Sequence, residues 1–248
     1  MARQVTIVGL GLIGGSIGKA LSGRGWSVAY IDPAVPLEAA RAARAADEKR
    51  EAVTERDSLV VIATPVDAAI DLLRSISSHH ALFTSVCSVM APLRGAFPGI
   101  ELIAGHPFAG SERSGLDAAE DSLFRGKAWF VEREDARLAE LIAACGADQT
   151  VIDAEEHDRI LAITSHLPQV VATAMASLMA DADPRFIGSG ARTMLRLAGS
   201  SYEVWKPVLD ANRQTVESAV RELYAIISTI KEEDFQRAQK LYETLKET

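Results

Sequence analysis

Gly9-Leu10-Gly11-Leu12-Ile13-Gly14, near the N-terminus, narrows the folds open to this chain more than any other stretch. It directly follows an apolar run, Val5 to Val8, and opens the amphipathic segment Ile13 to Ser22. Glycines so placed permit a tight turn and a close backbone approach to a pyrophosphate seated on the helix N-terminus. A second apolar run, Ser27 to Ile31, ends at Asp32. That lies near the offset of about 20 residues at which a carboxylate takes the ribose 2′-hydroxyl. Pro33 follows, with no adjacent arginine to receive a 2′-phosphate, so the pattern favours NAD over NADP. Gly9, Gly11, Leu12, Ile13, Gly14 and Asp32 are the candidate cofactor residues. Thr64 and Pro65 join them, because they end a later strand and begin a helix, and ligands of open α/β sheets lie beyond the carboxyl ends of strands.

Further apolar runs at Leu59 to Ala63, Leu82 to Val86, Glu101 to Ala104 and Ala128 to Val131 also read as buried strands, with Val66 to Ile76 as an intervening helix. Such alternation predicts an α/β fold with an N-terminal Rossmann-like, doubly wound parallel sheet. The alanine-rich stretch Ala34 to Ala46 reads as a surface helix. Beyond Asp153 only helical periodicity remains, which places a boundary near residue 152: a dinucleotide domain over 1–152 and an all-α domain over 153–248. One helix is expected over Glu155 to Met179. A second is expected over Trp205 to Ile230, with Leu209, Asn212, Val216, Ala219, Leu223, Ile226 and Ile230 on one face, and a third from Glu232. Pro168 lacks an amide proton and crowds the Thr164 carbonyl, so a kink is expected around Ser165 and His166. Three helices in so short a segment leave apolar seams that a homodimer would bury.

The formal charge of -8 argues against general affinity for nucleic acid or anionic membrane. Cys87 and Cys145 read as buried thiols of a reducing compartment, and glycines break the apolar stretch after Arg3 that would otherwise imitate a signal peptide. With no other segment approaching a transmembrane length, the cytoplasm is the expected location. His79 and His80 read as solvated loop residues and His157 as structural. No metal spacing links His106, His157 and His166.

The densest chemistry is Gly105-His106-Pro107-Phe108-Ala109-Gly110-Ser111-Glu112, followed by Ser114-Gly115. A histidine beyond a strand end can take a hydroxyl proton at neutral pH while hydride leaves the same carbon. This segment, with Leu123-Phe124-Arg125-Gly126-Lys127, Glu156-His157-Asp158 and Ser165-His166-Leu167-Pro168, resembles the prephenate and arogenate dehydrogenase family. Another two-domain dehydrogenase, such as a hydroxyacid dehydrogenase or an imine reductase, leaves the run from His106 to Lys127 unaccounted for, and the presence of Ser88, His106 and Arg196 together speaks against a silent NAD-binding regulatory protein.

The resemblance implies NAD-dependent oxidative decarboxylation of prephenate, or of arogenate, on the route to tyrosine. It implies His106 as the catalytic base and Ser88 as a serine that hydrogen-bonds His106 and the substrate hydroxyl. Ser111, Glu112, Ser165 and His166 would line the substrate pocket, and Arg196 would hold the ring carboxylate, which suits a planar guanidinium. Gln169, also at the pocket, stands where many members carry histidine. Ser85, Met90 and Thr193 are further departures, and all four bear on substrate choice rather than on the reaction class. No room remains after Thr248 for an appended regulatory domain, so any feedback is expected to act at the active site.

Overall fold

The computed structural model describes residues 3–76, 79–94, 97–111 and 113–246. Its first part is a six-stranded parallel sheet built on β1 (Arg3–Val8), β2 (Trp26–Ile31), β3 (Glu48–Lys49), β4 (Leu59–Ile62), β5 (His79–Ser85) and β6 (Ile100–Ile103), in the order β3-β2-β1-β4-β5-β6. The chain winds outward from β1 in one direction and from β4 in the other, leaving a switch point between them. Helices α1 (Leu12–Leu21), α2 (Leu37–Ala42) and α3 (Val66–Ser75) connect the strands. Alternation of the strand side chains gives two cores. Ile7, Tyr30, Val61 and Leu82 pack with Ile17 and Leu21 of α1, while Val8, Val60, Ile62 and Phe83 pack with Val66, Ala69 and Leu73 of α3.

After β6 the chain leaves the sheet plane and forms β7 (Gly105–Pro107). This strand pairs antiparallel with β8 (Ala128–Val131), which pairs in parallel with β9 (Asp148–Val151), and α4 (Ala136–Ala144) joins the last two. The apolar run Ala128 to Val131 is a strand, as its composition indicates, but of this small second sheet rather than the parallel one. His79 and His80 likewise begin β5 instead of occupying a loop. Both of their rings are engaged, His79 Nε2 with the Thr54 carbonyl at 2.9 Å and His80 Nδ1 with Glu55 at 3.0 Å. Only Leu37–Ala42 of the alanine-rich stretch is helical.

The remainder is helical: α5 (Ala154–Leu161), α6 (Leu167–Leu178), α7 (Ser189–Leu195), α8 (Tyr202–Ala211), α9 (Arg213–Ser228) and α10 (Glu232–Lys246). Asp153 caps α5 by accepting from Glu155 N and Glu156 N at 3.1 and 3.2 Å. The expected kink before Pro168 is a π-helical segment, Ala162–His166, joining α5 to α6. Because proline offers no amide proton, a wider turn accommodates the missing bond, and such turns recur where side chains must be re-aimed. Together Ala154–Leu178 runs for 25 residues, long and apolar enough to cross a bilayer, contrary to the expectation that no such segment exists. Here its polar residues His157, Asp158 and His166 are buried within the protein, as in a core helix. The single helix expected over Trp205 to Ile230 is broken at Asn212, whose φ of -110° and ψ of 24° separate α8 from α9. Val216 and Ala219 are buried as the periodicity requires, whereas Ile226 and Ile230 are exposed.

Candidate active site

The glycine turn meets two steric demands and leaves one open space. Gly9 has a φ of +89°, and a Cβ there would stand 2.7 Å from the Ala63 carbonyl oxygen. A Cβ on Gly14 would stand 2.0 Å from the Gly9 carbonyl oxygen, so α1 packs against the turn only without a side chain. Around Gly11, by contrast, no described residue lies within 4 Å of such a Cβ. Gly11 is also the N-cap of α1 and supplies no side-chain cap, so the first amides of the helix face open space and favour an anion. Leu12 and Ile13 form the first turn behind it. Asp32 accepts from Leu10 N at 2.9 Å and from Ala34 N at 2.8 Å, which fixes its carboxylate beside the turn with lone pairs to spare for ribose hydroxyls. Thr64 carries a buried hydroxyl without a partner among the described residues, and Pro65 is the N-cap of α3. These features fit NAD.

His106 lies one residue past the crossing from β6 to β7. The crossing is held by Ser85 Oγ, which meets both Gly105 N and Gly105 O at 3.3 Å. His106 is 8% exposed, its ring meets Phe108 edge-on, and Phe130, its cross-strand partner on β8, packs against both Phe108 and His157. Its Nδ1 is 3.0 Å from His157 Nε2, and His157 Nδ1 is 2.7 Å from Asp158 Oδ1. Asp158 in turn accepts from Met90 N at 2.8 Å and Ala91 N at 2.9 Å. His157 therefore belongs to the site, not to the scaffold alone. Ser88 was expected to hydrogen-bond His106, but no described residue makes a hydrogen bond with Ser88, and the ring nitrogen is taken by His157 instead.

A second histidine closes the group. Asn212 Nδ2 donates to the Asp158 carbonyl at 2.9 Å and meets His166 Nδ1 at 3.2 Å. Since the amide nitrogen is the donor, His166 Nδ1 accepts, and its proton sits on Nε2, which is buried and unpartnered among the described residues. Gln169, three residues on, has a buried Oε1 that also lacks a described partner, while its Nε2 donates to Thr173 Oγ1 at 3.3 Å. Burial chiefly, with the neighbouring His157 and His166, pushes the His106 pKa down to about 3. Burial likewise pushes His166 down to about 4, against the opposing pull of Asp158. Both rings are neutral at physiological pH.

The other expected pocket residues are less closely gathered. Ser165 is half-buried in the π segment, and Ser111 is exposed, its Oγ accepting from Arg113 N at 3.2 Å. Glu112 lies outside the described residues. Arg196 opens the turn Arg196–Gly199, on an exposed surface of the helical part. Sequence reasoning passed over Asp158 and Asn212. The available signal was Asn212, a polar residue on an otherwise apolar helix face.

This geometry defines a nicotinamide-dependent dehydrogenase with a neutral, buried imidazole beyond the carboxyl edge of its sheet. Comparison with known proteins narrows the class. Residues 17–147 match the family described as "Prephenate dehydrogenase, nucleotide-binding domain" and residues 153–247 match "Prephenate dehydrogenase, dimerization domain". A Streptomyces niveus protein named "Probable prephenate dehydrogenase NovF" is 34% identical over 92% of this chain and 69% of its own length. The Bacillus subtilis prephenate dehydrogenase is 27% identical over 100% of this chain and 75% of its own. The crystal structure of Aquifex aeolicus prephenate dehydrogenase in complex with hydroxyphenyl propionate and NAD+ has 25% identity and a TM-score of 0.79, covering 99% of this chain and 95% of that one. The chain belongs to the prephenate dehydrogenase family. It is an NAD-dependent oxidoreductase.

Two predictions follow from the geometry. Gly11→Ala is expected to leave the melting temperature unchanged while weakening NAD binding, because its Cβ meets only the space a pyrophosphate would take. Gly14→Ala is expected to lower stability itself by about 1 to 3 kcal/mol, the usual cost of overpacking. Thermal melts with and without NAD separate the two, and equal melting temperatures for both variants would contradict the assignment. The second concerns pH. The folded-state pKa values of His106 and His166 lie below the unfolded value, so unfolded chains bind protons that folded ones refuse. Stability is then fully present above about pH 6.5 and lost as pH falls toward the folded values, by up to about 1.4 kcal/mol per pH unit for each histidine. Urea denaturation from about pH 7 to about pH 5 should show this loss, and His166→Gln should reduce its slope by roughly one proton. An unchanged slope would show that His166 is not held neutral.

Proposed function

We propose that this chain catalyses the NAD-dependent oxidative decarboxylation of prephenate to 4-hydroxyphenylpyruvate, on the route to tyrosine. The observation that carries the reading is His106, buried beyond the sheet edge with Nδ1 engaged and Nε2 left as the nitrogen for substrate. His166 Nε2–H adds a buried donor, so the site offers one acceptor and one donor to a hydroxylated, anionic ring. His106 would take the substrate hydroxyl proton at Nε2 as the carbon beneath it loses hydride. NAD, when bound, supplies the hydride acceptor. The bond from the ring to its carboxylate then breaks, its electrons complete the aromatic ring, and the oxygen regains its proton from His106. Proton uptake and return cancel, so a base with little access to water suffices. Arg196 would hold the ring carboxylate, its guanidinium supplying charge and orientation together.

We infer a homodimer, in which the partner is a second copy of the chain joined through the helical part. The buried core of that part is small, centred on Ala162, Val216 and Ala219. Leu178 and Phe186 are 87% and 84% exposed, and Tyr224, Ile227, Phe235 and Leu241 are exposed as well. Two free, buried thiols suit a reducing compartment, and we place the enzyme in the cytoplasm.

Purified enzyme is expected to reduce NAD with prephenate and to work poorly with NADP. Faster turnover of arogenate would reassign the substrate. His106→Asn should lower kcat by about 10² to 10⁴ with little change in KM, because the proton moves only in the transition state. A near-normal kcat would remove His106 as the base. Light scattering at micromolar concentration should report a dimer, and a monomer would contradict the reading of the exposed apolar faces.

A further inference from the structure

Hydrogen bonds around Asp158 fix the proton positions of two rings in turn. Its Oδ1 accepts from Met90 N and its Oδ2 from Ala91 N, so both oxygens act as acceptors. The 2.7 Å contact with His157 Nδ1 therefore needs the proton on that nitrogen. In the neutral ring, His157 Nε2 then carries a lone pair, and the 3.0 Å contact with His106 Nδ1 needs the proton on His106. His106 Nε2 is left bare, the state a base requires.

We propose that His157 and Asp158 are positioning residues that hold His106 as its Nδ1–H tautomer and carry the positive charge it gains during turnover. The proposal rests on the reading of His106 as the base of prephenate oxidation. As the substrate O–H bond breaks, an N–H bond forms at His106 Nε2. The His106 Nδ1–H bond breaks and a new N–H bond forms at His157 Nε2. The charge then lies on His157, whose Nδ1 is 2.7 Å from the Asp158 carboxylate, instead of on His106, which has no carboxylate within hydrogen-bond reach among the described residues. When the ring oxygen reclaims its proton, each of these bonds is restored. No oxidant other than NAD takes part, and no proton is exchanged with solvent.

That closed circuit suits side chains so deeply buried: His157 is 1% exposed and Asp158 3%. Of the other titratable groups near these rings, His166 is held neutral by burial and receives its hydrogen bond from Asn212, so it does not compete for the Asp158 carboxylate. The two backbone amides come from the segment after β5, so the carboxylate is held from outside its own helix.

The test combines a spectroscopic and a kinetic measurement on the NAD-bound enzyme. Nitrogen NMR of histidine-labelled protein should show His106 protonated at Nδ1 and bare at Nε2. Asp158→Asn, whose side-chain NH2 cannot accept from a backbone amide, should lower kcat by about 10² to 10⁴ while KM for NAD holds, as when a general base loses its orienting carboxylate. His157→Gln keeps an acceptor for His106 Nδ1–H but cannot take the charge. It should preserve the tautomer and still lower kcat by at least about tenfold. A wild-type His106 protonated at Nε2 would overturn the proposal, as would a folded Asp158→Asn enzyme with near-normal kcat. If either variant fails to fold, the wild-type spectrum decides alone. Failure of the wild type to oxidise prephenate would overturn the functional reading instead, and the spectrum would still report on the tautomer.

Discussion

The Asp158 carboxylate is the joint on which the site depends. It sits on the first helix of the C-terminal part, yet both of its oxygens are bonded to backbone amides of the N-terminal part, at Met90 and Ala91. The same residue's carbonyl accepts from Asn212, between α8 and α9. One residue thus ties the end of the parallel sheet, the π-interrupted helix and the later helices into a common arrangement. A buried carboxylate held this way is costly to leave unpaired, and each partner removed exposes that cost. His106 reaches Asp158 through His157, so the orientation of its ring follows from this joint.

The π segment and Pro168 serve the same end. A regular helix from Ala154 to Leu178 would present residues at uniform steps. The wider turn at Ala162–His166 resets that phase, and both His157 before it and His166 at its end are buried in one network with Asn212 and Asp158. At the other edge of the site, Gly11 leaves the N-cap of α1 without a side chain while Asp32 is locked to the backbone on both oxygens. The glycine turn and His106 are therefore held by different elements, each set by contacts made far from it in the chain.

Much of this was legible in the sequence where a residue answers a local demand. Gly9, Gly11 and Gly14 each serve a separate steric purpose within one turn, and Asp32 follows at a strand end, so the dinucleotide half could be read directly. The helical character of the second half, and the disturbance before Pro168, followed from periodicity and from proline's missing proton. Contacts across long separations were not legible. The partner of His106 comes from 51 residues away, which no spacing rule connects, and Ser88 was assigned that place only by resemblance. Ala128–Val131 is apolar enough for either sheet, and composition cannot say which. The break at Asn212 is a tertiary choice, since the periodicity runs straight through it while its amide turns inward to Asp158 and His166.

In the proposed reaction, hydride transfer and loss of the ring carboxylate occur one for one, with the hydroxyl proton borrowed from the substrate and returned to the product. The most direct measurement is the stoichiometry of a single reaction with prephenate and NAD in weakly buffered solution, following reduced cofactor, carbon dioxide and pH together. The account predicts equal amounts of reduced cofactor and carbon dioxide, with no proton released beyond that from hydration of the carbon dioxide. Cofactor reduction without carbon dioxide, or no reduction at all with prephenate, would contradict it.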